Sequence, residues 1–163
     1  MIKKDLKVAV LGAGAMGCLF GGLLAEKGLD VALIDVWKEH VEAINKNGLK
    51  MDGHGGDRFI KIKATVDPKT LDKVDAIIIM CKATALEQAL INSKNIIGDN
   101  TVLMSFQNGI GHEAIMQKIA GKEKVLGGTT TQAANIIGPG NIKNHASLPS
   151  WIGEYEGGMS DRV

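Results

Sequence analysis

Gly12-Ala13-Gly14-Ala15-Met16-Gly17 is a G-x-G-x-x-G spacing placed directly after the apolar run Leu6–Leu11 and at the start of the helix-like stretch Ala15–Lys27. In that strand–turn–helix setting the spacing binds a dinucleotide. Each glycine answers a separate steric demand. Gly12 permits a tight turn, Gly14 lets the backbone approach a pyrophosphate, and Gly17 lets helix and strand pack closely. The helix N-terminus adds unpaired N–H groups and the positive end of its dipole, so Ala13, Ala15 and Met16 join the candidate phosphate-binding turn. A purely structural Gly-rich turn would share this spacing, and the chain holds 21 glycines. What favours the ligand is a second apolar run, Val31-Ala32-Leu33-Ile34, that ends in Asp35 about 18 residues after Gly17. A carboxylate at that distance suits the hydroxyls of an adenosine ribose.

Asp35 also bears on cofactor choice. A carboxylate in the ribose pocket repels a 2′-phosphate, and Lys38 is the only cation close by in sequence. The balance leans toward NADH over NADPH. Two further residues sit at carboxyl ends of expected strands, where open α/β sheets place ligand contacts. Lys82 follows Asp75–Met80, and Asn108 follows Thr101–Phe106. Their plainer readings are a solvated surface lysine and an Asn-Gly turn. Thr129–Thr131 suits either ligand hydrogen bonds or a strand. Cys18 lies in the first turn of the phosphate-binding helix, where a dipole lowers a thiol pKa; a small buried packing residue is the favoured account. His40, His54, His112 and His145 show no i, i+4 pairing, so no metal site is assigned.

The elements that must position these residues alternate between apolar runs and helix-like segments. That pattern predicts an α/β, Rossmann-type doubly wound fold, a mainly parallel sheet with helices on both faces. Leu6–Leu11, Val31–Asp35, Asp75–Met80, Thr101–Phe106 and Lys124–Gly127 read as strands. Ala15–Lys27, Trp37–Lys46, Ala83–Ile97 and Glu113–Ala120 read as helices. Gly98-Asp99-Asn100 reads as the exit from the third. Leu49–Val66 breaks the rhythm and is expected to form a hairpin excursion, with Leu49-Lys50-Met51 and Phe59–Ala64 as its arms. Thr129–Ile137 and Asn141–Ala146 are expected to pair around Gly138-Pro139-Gly140, with Trp151-Ile152-Gly153 a last short strand. Glu154–Val163 is expected to fray.

Bulk properties exclude several classes. A net charge of +1 and 4% aromatic residues leave no basic, base-stacking surface for nucleic acid. No run approaches the roughly 18 apolar residues of a membrane span, and Met1–Lys7 leads straight into a strand rather than a secretory leader. Cys18 and Cys81 have no metal or redox-pair spacing, which fits a reducing cytoplasm. Length and the 45% hydrophobic content suit one globular domain over residues 1–163.

These residues together resemble the ketopantoate reductase family. The resemblance rests on Gly12–Gly17 with its acidic follower, Cys81-Lys82-Ala83, and Gln107-Asn108-Gly109-Ile110-Gly111. It extends to Gly127-Gly128-Thr129-Thr130-Thr131-Gln132-Ala133-Ala134, then Gly138-Pro139-Gly140 and Ile152-Gly153. It implies reduction of 2-dehydropantoate to pantoate with NADPH, a step toward pantothenate and coenzyme A. It also implies an N-terminal dinucleotide domain facing a C-terminal all-helical domain across the substrate cleft. By the same resemblance Lys82 matches a cofactor-contacting lysine, Asn108 touches cofactor and substrate, and Ala134 contacts the cofactor through its backbone. The family's proton-donating lysine belongs to the helical domain, so this chain is expected to be a fragment or truncated relative, inactive alone. Two other readings stay open: a similar two-domain dehydrogenase for hydroxyacyl-CoA, glycerol phosphate or opines, or a stand-alone dinucleotide module without turnover. An uncovered cleft face is expected to drive homo-oligomer formation.

Overall fold

The computed structural model describes residues 5–163, so the first four residues of Met1–Lys7 lie outside the described residues. In chain order the elements are β1 (Lys7–Leu11), α1 (Ala15–Glu26), β2 (Asp30–Ile34), α2 (Lys38–Asn47), β3 (Leu49–Gly53), β4 (Arg58–Ile60) and β5 (Lys63–Thr65). They continue with β6 (Val74–Ile79), α3 (Leu86–Asn92), β7 (Ile97–Ser105), α4 (His112–Ala120), β8 (Val125–Thr130), β9 (Ala134–Gly138), β10 (Asn141–Asn144) and β11 (Ser150–Glu154).

In β1 and β2 one exposed residue precedes four buried ones, the signature of parallel strands covered on both faces. The main sheet runs β11-β8-β7-β6-β1-β2-β5, with every pairing parallel except β11 against β8. Read along its parallel strands, this is the 3-2-1-4-5-6 order of a doubly wound fold. One apolar cluster joins α1 and α2 to one face through Cys18, Leu19, Val41 and Ile44. A second joins α3 and α4 to the other through Leu86, Leu90 and Met116. Each such aliphatic side chain contributes about 1.5–3 kcal/mol when fully buried.

The second sheet, β4-β3-β10-β9, lies over α1. A Cβ on Gly21 would come within 2.5 Å of Leu33 Cδ2 in the main sheet, and one on Gly22 within 2.8 Å of Met51 Cε in the second. Sheets therefore press on α1 from two sides, which explains a helix apolar nearly all round. The glycines are the contact surface.

Five expectations need correction. The arm Phe59–Ala64 splits: β4 pairs with β3 in the expected hairpin, but β5 crosses to pair with β2 in the main sheet. Buried Ile62 between them anchors the crossing in the core. Thr129–Ile137 also splits between sheets, its first two residues ending β8 and its last four belonging to β9. The helix over Ala83–Ile97 is α3 flanked by 3-10 turns at Ala83–Ala85 and Lys94–Ile96. Gly98-Asp99-Asn100 then falls inside β7, where Thr101 Oγ1 takes the Gly98 N–H at 2.7 Å and donates to the Val74 carbonyl. Past β11, the terminal segment folds back instead of fraying, with Arg162 Nε donating to Glu154 at 2.7 Å. Hydrogen bonds from Arg162 and Ser160 hold the Glu154 carboxyl down to about 2.

Candidate functional site

The crevice that matters opens at the carboxyl ends of β1 and β6, where the strand order reverses. In such sheets that switch point is where ligands bind. Gly12 leaves β1 at φ +100°, and a Cβ there would lie 2.4 Å from the Cys81 backbone nitrogen. On Gly17 a Cβ would lie 1.8 Å from the Gly12 carbonyl oxygen. Both glycines are thus required by the fold itself. Gly14 differs: beyond its own residue and its two chain neighbours, no atom lies within 4 Å of the position its Cβ would take. It caps α1 without a side-chain hydrogen bond, so the space above it is free for a ligand. The first intrahelical bond runs from Cys18 N–H to the Gly14 carbonyl at 2.9 Å. The N–H groups of Ala15, Met16 and Gly17 precede it and are the orphan donors of a helix tip.

Asp35 stands beside that turn. One carboxylate oxygen accepts from Ala13 N–H at 2.7 Å and the other from Trp37 N–H at 3.0 Å. A carboxylate has about four acceptor positions, so two remain for a ligand. The Ala13 N–H is engaged by this bond, and Ala13 contributes the shape of the turn. Gly12, Gly14, Asp35, Val36 and Lys82 line a single cleft of about 450 Å³, whose far wall comes from Pro68 and α3. Lys82 is exposed at its rim.

Asn108 and Ala134 lie outside that cleft lining. Asn108 is exposed in the loop after β7. His112 Nε2 donates to its backbone carbonyl at 2.9 Å, and Gln107 Nε2 donates to the Cys81 carbonyl. The loops after β6 and β7 are thereby tied together. Ala134 begins β9 and packs against the cluster that holds α1. Val66, Pro68 and Ala89 complete the apolar part of the cleft; no local sequence pattern marks them, because they meet only when β5 and α3 are in place. Gln107 lies in the Gln107–Gly111 segment, and its residue type and spacing alone do not reveal that its side chain bonds Cys81.

Cys18 is fully buried. Burial, with a smaller contribution from the Asp35 charge, pushes its thiol up to about 12. Desolvation outweighs the helix dipole, so the thiol stays protonated and the packing account holds. Among the described residues no group of three or more His, Cys, Asp or Glu is placed to hold a metal ion. No helix of the described residues is long and apolar enough to cross a membrane.

The ketopantoate reductase PanE/ApbA family model matches residues 8–157. Among curated proteins, the 2-dehydropantoate 2-reductase of Pyrococcus horikoshii is 40% identical over 97% of this chain and 50% of its own length. That of Lactococcus lactis is 35% identical over 85% of this chain and 45% of its own. The chain therefore spans about half the length of the curated relatives it matches. Among solved structures, 2-dehydropantoate 2-reductase from Geobacter metallireducens superposes with a TM-score of 0.90 at 27% identity, covering 97% of this chain and 52% of that one. A D-mandelate dehydrogenase solved with NADH and anilino(oxo)acetate superposes with a TM-score of 0.86 at 36% identity, covering 91% and 48%.

Proposed function

This chain belongs to the ketopantoate reductase family, and from that premise we propose that it is the nicotinamide-dinucleotide-binding half of a 2-oxo-acid reductase, with 2-dehydropantoate as substrate. The observation that carries the proposal is the open space over Gly14 at the tip of α1, inside a crevice at the sheet's switch point. A Cβ would fill that space. Fold packing alone gives no reason to keep it clear.

In this reading the N–H groups of Ala15, Met16 and Gly17 take the diphosphate, and the two free acceptor positions of Asp35 take the adenosine ribose hydroxyls. Gly12 and Ala13 shape the turn, and Lys82 approaches the adenosine side from the rim. Asn108 and Ala134, outside the adenosine cleft, belong to the nicotinamide side. There Asn108 orients the substrate carbonyl and Ala134 offers backbone contacts. When bound, the reduced nicotinamide supplies the hydride. The alkoxide that results needs a proton, and we assign that donor to a helical substrate domain outside residues 1–163. These residues alone then bind cofactor without turnover.

Asp35 favours NADH, since a 2′-phosphate would sit against its charge and Lys38 is not among the residues lining the cleft. The D-mandelate dehydrogenase neighbour, solved with NADH, supports that preference, and the mandelate of its name is a 2-hydroxy acid, the class of product that a 2-oxo-acid reductase forms. Calorimetric titration with both cofactors tests the proposal. Measurable NADH binding, tighter than NADPH, is expected. Much tighter NADPH binding refutes the Asp35 argument, and binding of neither refutes the site.

Two smaller elements complete the proposal. The protein works in the cytoplasm, in keeping with Cys18 and Cys81 both being free thiols. The chain self-associates through apolar surface at Ile110, Ile137, Trp151 and Ile152, all exposed. Light scattering at rising concentration checks this, and a persistent monomer refutes it.

A further inference from the structure

His40, in α2, is fully buried, yet its ring joins segments far apart in the chain. The Gly140 N–H, in the turn between β9 and β10, donates to Nδ1 at 3.0 Å. An acceptor there places the neutral ring's proton on Nε2. Nε2 lies 3.3 Å from Cys18 Sγ, and the thiol donates to the Ala13 carbonyl at 3.1 Å. Ala13 N–H in turn donates to Asp35 at 2.7 Å. On its other side the ring stacks on Trp37, with centroids 4.8 Å apart and planes at 12°. The Trp37 N–H holds the second Asp35 oxygen.

Both oxygens of the Asp35 carboxylate are therefore braced by groups that lean on one imidazole. An apolar side chain could fill the same volume without the cost of burying polar nitrogens. The histidine instead makes two directed contacts, one to the second sheet and one toward the glycine turn. Because the thiol stays protonated, the relay has a donor at every step: Gly140 N–H, His40 Nε2–H, Cys18 S–H, Ala13 N–H.

We propose that His40 is a positioning residue of the dinucleotide site, setting the glycine turn and the Asp35 carboxylate through Cys18, Ala13 and Trp37. It touches no part of the cofactor. The proposal rests on the dinucleotide reading given above, and its effect is on cofactor affinity. His40→Asn keeps an acceptor for Gly140 N–H but removes the donor toward Cys18. Cys18→Ala leaves His40 in place and cuts the same relay one step later.

The test compares the unmodified chain, His40→Asn, Cys18→Ala and the double variant, measuring NADH affinity by calorimetry and thermal unfolding without ligand. Each single variant is expected to raise the NADH Kd roughly three- to tenfold, the loss of about one hydrogen bond's preorganisation. The double variant is expected to raise it no further than the larger single change, since both interrupt one relay. Cys18→Ser, which restores a donor and an acceptor, is expected to recover most of the affinity. Effects that multiply in the double variant overturn the proposal. So does a lowered melting temperature with an unchanged Kd, which marks a purely structural histidine. Should His40→Asn not fold, Cys18→Ala and its serine rescue decide the matter alone. If the unmodified chain binds no NADH or NADPH, the dinucleotide reading falls and this proposal with it; if only the variants fail to respond, His40 alone is misassigned.

Discussion

Gly14→Ala places one methyl group where the fold has room and a diphosphate would not. Gly14 has φ −64° and ψ −170°, a conformation open to alanine without strain. With no atom beyond its chain neighbours within 4 Å of the new Cβ, no packing penalty arises. Alanine is a poorer N-cap than glycine by somewhat under about 1 kcal/mol. Against that, it reduces unfolded-state freedom by about 0.4–1 kcal/mol. The two nearly cancel, so the melting temperature should move by no more than about 2 °C. Binding is another matter. The methyl pushes the diphosphate off the helix tip and breaks at least one charge-assisted hydrogen bond, about 1.5–3 kcal/mol. That corresponds to a rise of roughly 10- to 150-fold in the NADH Kd. Calorimetric titration of the purified variant, beside its thermal unfolding without ligand, reads both quantities. A variant that melts normally and binds NADH within about threefold of the parent would show that no phosphate sits over Gly14.

Gly17→Ala should do the reverse and fail in folding, because its Cβ would lie 1.8 Å from a backbone oxygen. Overpacking of about 1–3 kcal/mol or more exceeds the roughly 1 kcal/mol gain in helix propensity, and the urea midpoint should fall accordingly. Asp35→Asn keeps an acceptor for Ala13 N–H and removes the charge, so the Kd ratio of NADPH to NADH should drop about tenfold, or 1.4 kcal/mol; paired titrations check it. Burial lowers the His40 pKa from its usual 6.5, with Asp35 and the Ala13 carbonyl opposing only in part. The unfolded chain therefore takes up this proton first as pH falls. The stability that neutral His40 contributes is complete above about pH 6.5 and is lost as pH drops toward the folded pKa. Urea melts between about pH 5 and 7.5 should show a slope of at most about 1.4 kcal/mol per pH unit from this group. The slope should be absent in His40→Asn.

The geometry of the glycine turn was legible because it is local. Gly12, Gly14 and Gly17 act within one strand–turn–helix unit, and Asp35 is placed by the next strand alone. The long apolar runs of β1, β2 and β6 likewise announced a parallel sheet, since strands buried on both faces need no polar alternation. Where runs were short, the reading failed. Lys63–Thr65 joined the main sheet instead of extending a hairpin arm, and Thr129–Ile137 divided between two sheets. Three-residue strands carry too little periodicity to name a partner.

Residue types and spacing by themselves determined the glycine turn between β1 and α1, the acidic residue that ends up beside it, and the α/β class of the fold. Tertiary structure alone decided that β10 pairs with β3, some ninety positions apart in register, and so brought Gly140 to His40. It also decided that Cys18 is a protonated donor. Hydrogen bonding and desolvation depend on which distant segments arrive around a group, and no window of neighbouring residues records that arrival.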